Sequence, residues 1–587
     1  MSIKLKVYTN EDDALLFWSI PKPISECRGF AINRRIKPKG KTQTEGFLIN
    51  RTGFDNEKVD AKAKAGQEAV TKPSTEWPFQ RFSWTDHDAS TGDTVSYQVI
   101  PIIRNSDGEL EQLDAQASGW SPKKTLEPPA GKFKPFFNRG FVMSQFMARY
   151  LAEHKLTLKE FKAQIKDKNE KIGVKHERNI RLFLSGDLRL ALLNELQTAL
   201  DEGGEVFAAL FELSDDELID ALCKLKGRAN VVLSNGSVKP DKGESSADAR
   251  LRDENEDARK RLLAHGVDVK VEEKNRFLSP GALGHNKFLV RTDKKGNPVI
   301  AWTGSTNWAP TGLCTQVNNG LLIEDAEVAQ VYLDQWHELR KAASKFPKPF
   351  VASNSKPKPI GEDSAGQVRS IIWFTRTTKG VDLDALREEV EKAREGILFL
   401  MFMPGSTGLF SNVAARSAEP NLYVRGVVSE LPNGRGDESA ADVSLIDGSN
   451  HTPMHLDIIQ PEGARNPLAG FAEEVTRKQF LGNIGHAIIH SKVVVIDPFS
   501  ADPVVITGSH NFSSSASGKN DENFIIVKGD HELAEAYAVN IFGAYSHYRY
   551  RAFLQQTNKP FNGLGDNDKW QAPRLASARR DLRFWGV

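Results

Sequence analysis

Cysteine is scarce. The 587 residues hold three, Cys27, Cys223 and Cys314, far apart and odd in number. This excludes a disulfide framework and a CxxC zinc site, and the three read as buried or incidental thiols. Long apolar runs are missing as well. The longest, Ile397 to Met403, covers about a third of the ~20 residues a membrane helix needs, so no transmembrane helix is expected. The opening residues alternate at Ile3, Leu5 and Val7 like a strand and lack the apolar core of a secretory signal. A cytoplasmic protein fits, as does one exported without a cleaved signal. No charge predominates: 78 Lys and Arg face 77 Asp and Glu, a net charge of +1. That argues against a chain coated for nucleic acid, although a local basic cleft is compatible with it.

The remaining composition, 39% hydrophobic and 26% charged, is that of a folded globular protein. Its length exceeds what one core serves, so two to four domains are expected. Residues 1–125 read as short strands punctuated by Pro, Gly, Asn and Asp: Lys4–Thr9, Leu15–Ile20, Phe30–Ile36, Gly46–Ile49, Gln80–Thr85 and Thr94–Ile103. Trp18 in an early strand and Tyr97 in a late one give this segment a resemblance to a fibronectin type III-like sandwich. The basic stretch Arg34 to Lys41 reads as a solvated hairpin tip.

From about residue 126 helices alternate with apolar strands. Met143–Glu153 and Leu188–Leu200 have helical spacing, with Asp187 placed to cap the second; Val206–Phe211 and Val231–Leu233 follow as strands. The charged stretch Ser245–Ala264 reads as a surface helix, and Pro347–Gly366 as a linker. The pattern then restarts with a helix at Asp382–Glu395, whose Leu383, Leu386, Val390 and Ala393 share a face. Strands at Ile397–Met403 and Tyr423–Glu430 come next. Helix, glycine and strands in both parts predict a duplicated α/β unit.

Each half ends on the same residues. The first has His285-Asn286-Lys287, then Gly304-Ser305-Thr306-Asn307, then Asn318-Asn319. The second has His490-Ser491-Lys492 and Asp497, then Gly508-Ser509-His510-Asn511, then Glu522-Asn523. Motif glycine to final asparagine is 15 residues in both; histidine to glycine is 19 in the first and 18 in the second. Histidine and lysine two apart on a strand share a face. Lysine supplies charge, asparagine neutral donors, and histidine proton or nucleophile chemistry, a set that suits a phosphate. Repetition with matched spacing separates this from a lone structural histidine.

These motifs resemble the HxKxxxxD and GSxN signature of the phospholipase D superfamily over about 450 residues, and Phe137-Asn138-Arg139-Gly140 with Ser144-Gln145 adds to the likeness. The resemblance implies an all-β sandwich (1–125) followed by two pseudo-symmetric α/β lobes (126–350 and 367–587) forming one active site. It implies His285, Lys287, His490, Lys492, Asp497 and Glu522 as catalytic, and Ser305, Asn307, Asn318, Ser509 and Asn511 as substrate-binding. It implies no metal, no cofactor and no obligate oligomer. One histidine attacks phosphorus and the other protonates the leaving oxygen.

Two departures matter. Thr292 stands where the signature expects an acid, and Asp293 is one place late, where a one-residue slip faces it the other way. Glu522 precedes the last asparagine of the second half and Asn318 that of the first. Each partner is expected to orient the histidine of its own half. His490 beside Glu522 would then start as general acid, and His285 beside Asn318 as neutral nucleophile.

The expected substrate is a glycerophospholipid, cleaved to phosphatidic acid and a head-group alcohol, or transferred to another alcohol. The near-neutral charge and Trp302 and Trp308 beside the first motif favour lipid; a nuclease with the same chemistry is the second reading. His451, His455 and Asp457 read as a loop rather than a metal site, and His486 as structural. The tail Arg579 to Trp585 suits an anionic membrane surface, but docking on its own domain is the stronger expectation.

Overall fold

The computed structural model describes residues 3–57, 70–140, 155–167, 180–269, 275–362, 368–402, 404, 407–417, 419–428, 457–459, 489–556 and 563–587. The expected helix Met143–Glu153, the pair Ser144-Gln145, and His451, His455 and His486 lie outside them. Among the described residues no helix is long and apolar enough to cross a membrane. The chain forms two compact units: Met1–Pro128 with Gln145–Thr157 and Glu535–Val587, and Pro129–Ser144 with Leu158–Ala534.

The first unit is all-β at its N-terminal end. Lys4–Thr9, Ala14–Ser19 and Ser83–Asp86 form one antiparallel sheet. Lys124–Thr125, Thr94–Arg104, Cys27–Lys37 and Thr44–Phe47 form another, with Leu110–Gln112 on Thr94–Arg104. Trp18 and Tyr97 are fully buried, as core fillers should be. The Tyr97 hydroxyl donates to Asp86 at 2.8 Å, and Arg34 pairs with the same carboxylate at 2.8 Å. Arg35 pairs with Glu45 and lies over Trp120, so two cations of the basic stretch are used locally. The C-terminal residues group with this unit, not with the second lobe expected to run to 587. Helix Gln571–Phe584 delivers Trp585 into its core, stacked on Phe17 at 4.8 Å and edge-on to Tyr8 at 4.9 Å. An indole buried there gains more than one left on a surface.

The second unit holds two sheets of matching order. One runs Phe133–Phe137, Asn319–Ile323, Pro298–Gly304, Lys287–Thr292, Val206–Leu210, Ala229–Leu233, Asp268–Val269. The other runs Lys358–Glu362, Val368–Phe374, Asn523–Lys528, Val504–Gly508, Val493–Ile496, Gly396–Met401, Tyr423–Val428, Asp457–Ile459. The motif strand is central in each, paired antiparallel on both sides. The extra residue of the first histidine–glycine interval lies in a stretch with a register shift between Arg291 and Thr292.

Helix Val381–Glu391 puts Leu383, Leu386 and Val390 on the second sheet, and Ala393 just beyond it joins them against Ile397, Phe399, Val494 and Ile526. Truncating Leu386 to Ala in such a core costs about 2–5 kcal/mol. Helix Ile180–Glu202 is interrupted at Gly186, whose φ of 53° breaks it beside Asp187. Two expectations fail. The Pro347–Gly366 linker contains helix Lys348–Asn354 and strand Lys358–Glu362, which extends the second sheet. Prolines at a first helical turn and on an edge strand are compatible with both. Ser245–Ala264 is two short helices, Ser246–Ala249 and Glu256–Ala264.

Candidate active site

Main-chain bridges crossing between the halves of the second unit hold both histidines. His285 N donates to Asp521 O at 2.9 Å, and Asp521 N to Leu283 O at 2.9 Å. His490 N and Ser491 N donate to Val317 O at 2.9 and 2.7 Å. Each histidine is therefore anchored on the residue before the other half's partner position. Buried Arg276 clamps one crossing, with Nε and Nη2 bonded to the two oxygens of Asp521 at 2.8 and 2.9 Å. The other crossing has Val317 where Asp521 stands.

This corrects the expected pairing. Glu522 Oε2 lies 2.7 Å from His285 Nδ1, and Asn318 Oδ1 lies 2.9 Å from His490 Nδ1. Both partners reach across. The final strand of each half ends beside the other half's histidine, so proximity along the chain misassigned them. The motif serines brace these partners: Ser305 Oγ donates to Asn318 Oδ1 at 2.8 Å, and Ser509 Oγ to Glu522 Oε2 at 3.1 Å. Both hydroxyls also accept from a final-asparagine N–H at 3.0 Å, that of Asn319 or Asn523. Those asparagines cross over too, Asn319 donating to Thr507 at 2.9 Å and Asn523 to Asn286 at 2.8 Å.

The lysines are buried beside the histidines. Lys287 Nζ donates to His285 O at 2.9 Å, and Lys492 Nζ to His490 O at 2.5 Å. Phe211 lies 4.7 Å from the His285 ring and 4.9 Å from Lys287 Nζ. Phe402 repeats this at 4.8 Å and 4.9 Å for His490 and Lys492.

Burial governs the titration. It lowers His285 to about 4, against the pull of Glu522. Burial, with Lys492, Lys287 and His285 as further causes, holds His490 well below its ordinary value. Lys287 is lowered to about 7 and Lys492 well below the usual lysine range, again chiefly by burial. Burial pushes Glu522 up, but His285 and Lys287 more than offset it and hold the carboxyl low. Both imidazoles are thus held toward the neutral form, each with Nδ1 committed to a partner.

The late acid of the first half behaves as its one-residue slip requires. Asp293 is half-buried and caps its own turn, accepting from Lys295 N and Asn297 N at 2.8 and 2.9 Å. Thr292, buried, accepts from Glu205 N at 3.0 Å. Asp497 accepts from Arg394, Glu395 and Gly396 N–H at 2.8, 2.7 and 2.8 Å. It braces the sheet and does not join the histidines.

The sequence reading gave no role to several contributors. Asn138 donates to Gly312, Leu313 and Gln316 carbonyls and accepts from Asn318 N at 2.8 Å, so it sets the segment that carries Asn318. His510 is buried, with Nε2 3.2 Å from Asp382 Oδ2. Glu212 accepts from Asn307 Nδ2 at 2.7 Å. Laying Phe211-Glu212 over Phe402-Met403 would have flagged it as an asymmetry between otherwise repeated positions. Trp302 and Trp308 are buried core residues, so they supply no lipid-facing surface.

Residues 192–340 and 441–542 match the model of the cardiolipin synthase, PLD-like domain family. These two stretches are similar to a phospholipase D-like domain. Phospholipase D of Rickettsia conorii is 49% identical over 53 residues, 9% of this chain and 24% of that protein, and the Rickettsia felis enzyme gives the same figures. The chain thus spans about a quarter of the length of the curated relatives it matches. Phosphatidylserine synthase of Haemophilus influenzae superposes with a TM-score of 0.37 at 11% identity, over 68% of this chain and 92% of that one. The crossed histidines and their partners, His285, Asn318, His490 and Glu522, all lie within the matched residues.

Proposed function

We propose that the protein is a phosphodiesterase of the phospholipase D type, in which the two halves of the second unit form one site and His285 is the nucleophile. The crossed pairing of His285 with Glu522 and His490 with Asn318 carries this reading. His285 donates its Nδ1 proton to Glu522, leaving the Nε2 lone pair free. Attack by Nε2 on phosphorus makes a positively charged phosphoimidazolium, which the buried Glu522 carboxylate neutralises. The P–O bond to the leaving alcohol breaks as His490 gives that oxygen a proton. His490 then takes a proton from water, the water oxygen bonds to phosphorus, and the P–N bond breaks to restore His285. An arriving phosphate anion raises the His490 pKa that burial and the two lysines keep low, so the acid is charged when it is needed. His285 keeps the role expected of it, for the opposite reason: a carboxylate partner, not an amide.

A glycerophospholipid is the substrate class. The curated relatives named phospholipase D and the near-zero net charge support it. We also read the N-terminal sheets as a fibronectin type III-like sandwich over residues 1–125, a module distinct from the unit that carries the histidines.

The test is a paired assay in EDTA of mixed phospholipid vesicles and of single- and double-stranded DNA, with His490→Ala as control. Phosphatidic acid formed only by intact protein supports the reading; DNA cleavage without lipid turnover replaces lipid by nucleic acid. Turnover that persists in both His285→Ala and His490→Ala rejects the mechanism. Phosphoryl label is expected on His285, and label on His490 reverses the roles.

A further inference from the structure

The two motif lysines, the two flanking phenylalanines and the two histidines repeat across the halves, but Glu212 does not. It follows Phe211 where Met403 follows Phe402. Glu212 is fixed at both ends: its carbonyl accepts from Trp308 N at 3.1 Å and its carboxylate from Asn307 Nδ2 at 2.7 Å. Asn307 is buried, and its Oδ1 has no hydrogen-bond partner. The motif asparagine of the first half therefore spends a donor on a carboxylate and presents an acceptor, which an extra phosphate oxygen would not favour. The Glu212 charge acts on both Lys287 and Lys492. Burial, and then Glu254, which is bonded to Ser237 N at 2.8 Å, raise the Glu212 carboxyl, while Lys287, the Asn307 hydrogen bond and Lys492 favour its charged form.

The formal charges then balance. A bound phosphate anion raises the lysine pKa values that burial lowers, so in the complex the protonated Lys287 and Lys492 offset ionised Glu522 and Glu212, and the neutral histidines add nothing. One proton on His490, which the chemistry already requires, gives the site a single positive charge. That matches a phosphodiester. Without Glu212 the same protonated site would carry two and match a phosphomonoester. We infer that Glu212 makes the site selective for phosphate bearing one negative charge, so that a diester binds and the doubly charged monoester product is expelled. The inference rests on the phosphodiesterase reading and adds a specificity-determining residue to it. A monoester loses its second proton near pH 6, so at neutral pH hydrolysis itself converts the favoured charge into the rejected one.

The experiment is titration calorimetry of the full chain with diethyl phosphate, singly charged throughout, and inorganic phosphate, singly charged at pH 5.5 and doubly charged at pH 8. In the wild type, phosphate relative to diethyl phosphate should weaken at least about tenfold between the two pH values. Glu212→Gln, which still accepts from Asn307, should bind phosphate at pH 8 at least about tenfold more tightly while shifting diethyl phosphate less than about threefold. Glu212→Asp should keep the wild-type preference. Equal preference at both pH values in the wild type overturns the inference without needing any variant to fold. So does an unchanged ratio in a folded Glu212→Gln, or Glu212→Asp behaving like Glu212→Gln. A wild type that binds neither anion and cleaves no diester overturns the phosphodiesterase reading along with it; binding without discrimination removes only the role of Glu212.

Discussion

The motif strand of the second half ends on Asp497, which holds three backbone N–H groups of the turn before Gly396–Met401. Its counterpart ends on Thr292, which holds one, at Glu205. Where the structural acid is complete, the histidine partner is the neutral Asn318; where it is reduced to a hydroxyl, the partner is the carboxylate Glu522. The halves share a scaffold and differ in where they place negative charge. Bracing the sheet and tuning the imidazole are thus separate tasks, and a duplicated chain can assign them independently.

The largest expected effect tests the histidine partners. Glu522→Gln should lower kcat by about 10²–10⁴-fold, since the phosphoimidazolium loses its counter-charge. Asn318→Asp should cost far less, because His490 only carries a proton. Equal losses in steady-state assays would mean that the partners are interchangeable. Next comes the crossing. Arg276→Met leaves Asp521 buried without its cation and should destabilise the fold by about 3–5 kcal/mol in urea unfolding. Val317→Ala, at the uncharged crossing, should cost about 0.5–3 kcal/mol.

Asp497→Thr makes the second half imitate the first. It forfeits two of three acceptor contacts and should cost about 1–3 kcal/mol, whereas Thr292→Val should cost about 1 kcal/mol. A larger loss at Thr292 would reverse the assignment of the stronger brace. The smallest effect is a displacement of a pH profile. In the free enzyme kcat/KM should rise with deprotonation of His285 near pH 4 and fall as Lys287 loses its proton near pH 7. Glu522 raises His285, so Glu522→Gln should move the acid limb to lower pH; movement upward would contradict the pairing.

The sequence made the duplication, the motif strands and the buried face of helix Val381–Glu391 legible, because period and repeat are local signals. It exposed Thr292 and the misplaced Asp293 through strand parity. It did not reveal which partner serves which histidine. His285 and Glu522 are 237 residues apart, and only the convergence of two sheets brings them to 2.7 Å. The same limit hid Arg276 with Asp521 and Asn138 with the segment before Asn318. The serines were legible as motif members but not as braces, because their hydroxyls are committed to groups across a fold rather than along a chain. Pro347–Gly366 misled through composition: proline marks a boundary, and here the boundary is a helix start and a sheet edge.

The crossed hydrogen bonds have a consequence for direction. In a pair of identical subunits either histidine is free to attack, and a substrate lying across the axis meets the same chemistry whichever way it enters. Here the pocket has a front and a back. Under the proposed roles a diester seated with its leaving alcohol toward His490 turns over, and one seated the other way would put the phosphoimidazolium on His490, whose partner Asn318 offers no counter-charge. Encounters in the second orientation are then unproductive unless something outside the reacting centre orients the ligand beforehand, so under those roles the handedness of the approach path becomes part of the selectivity.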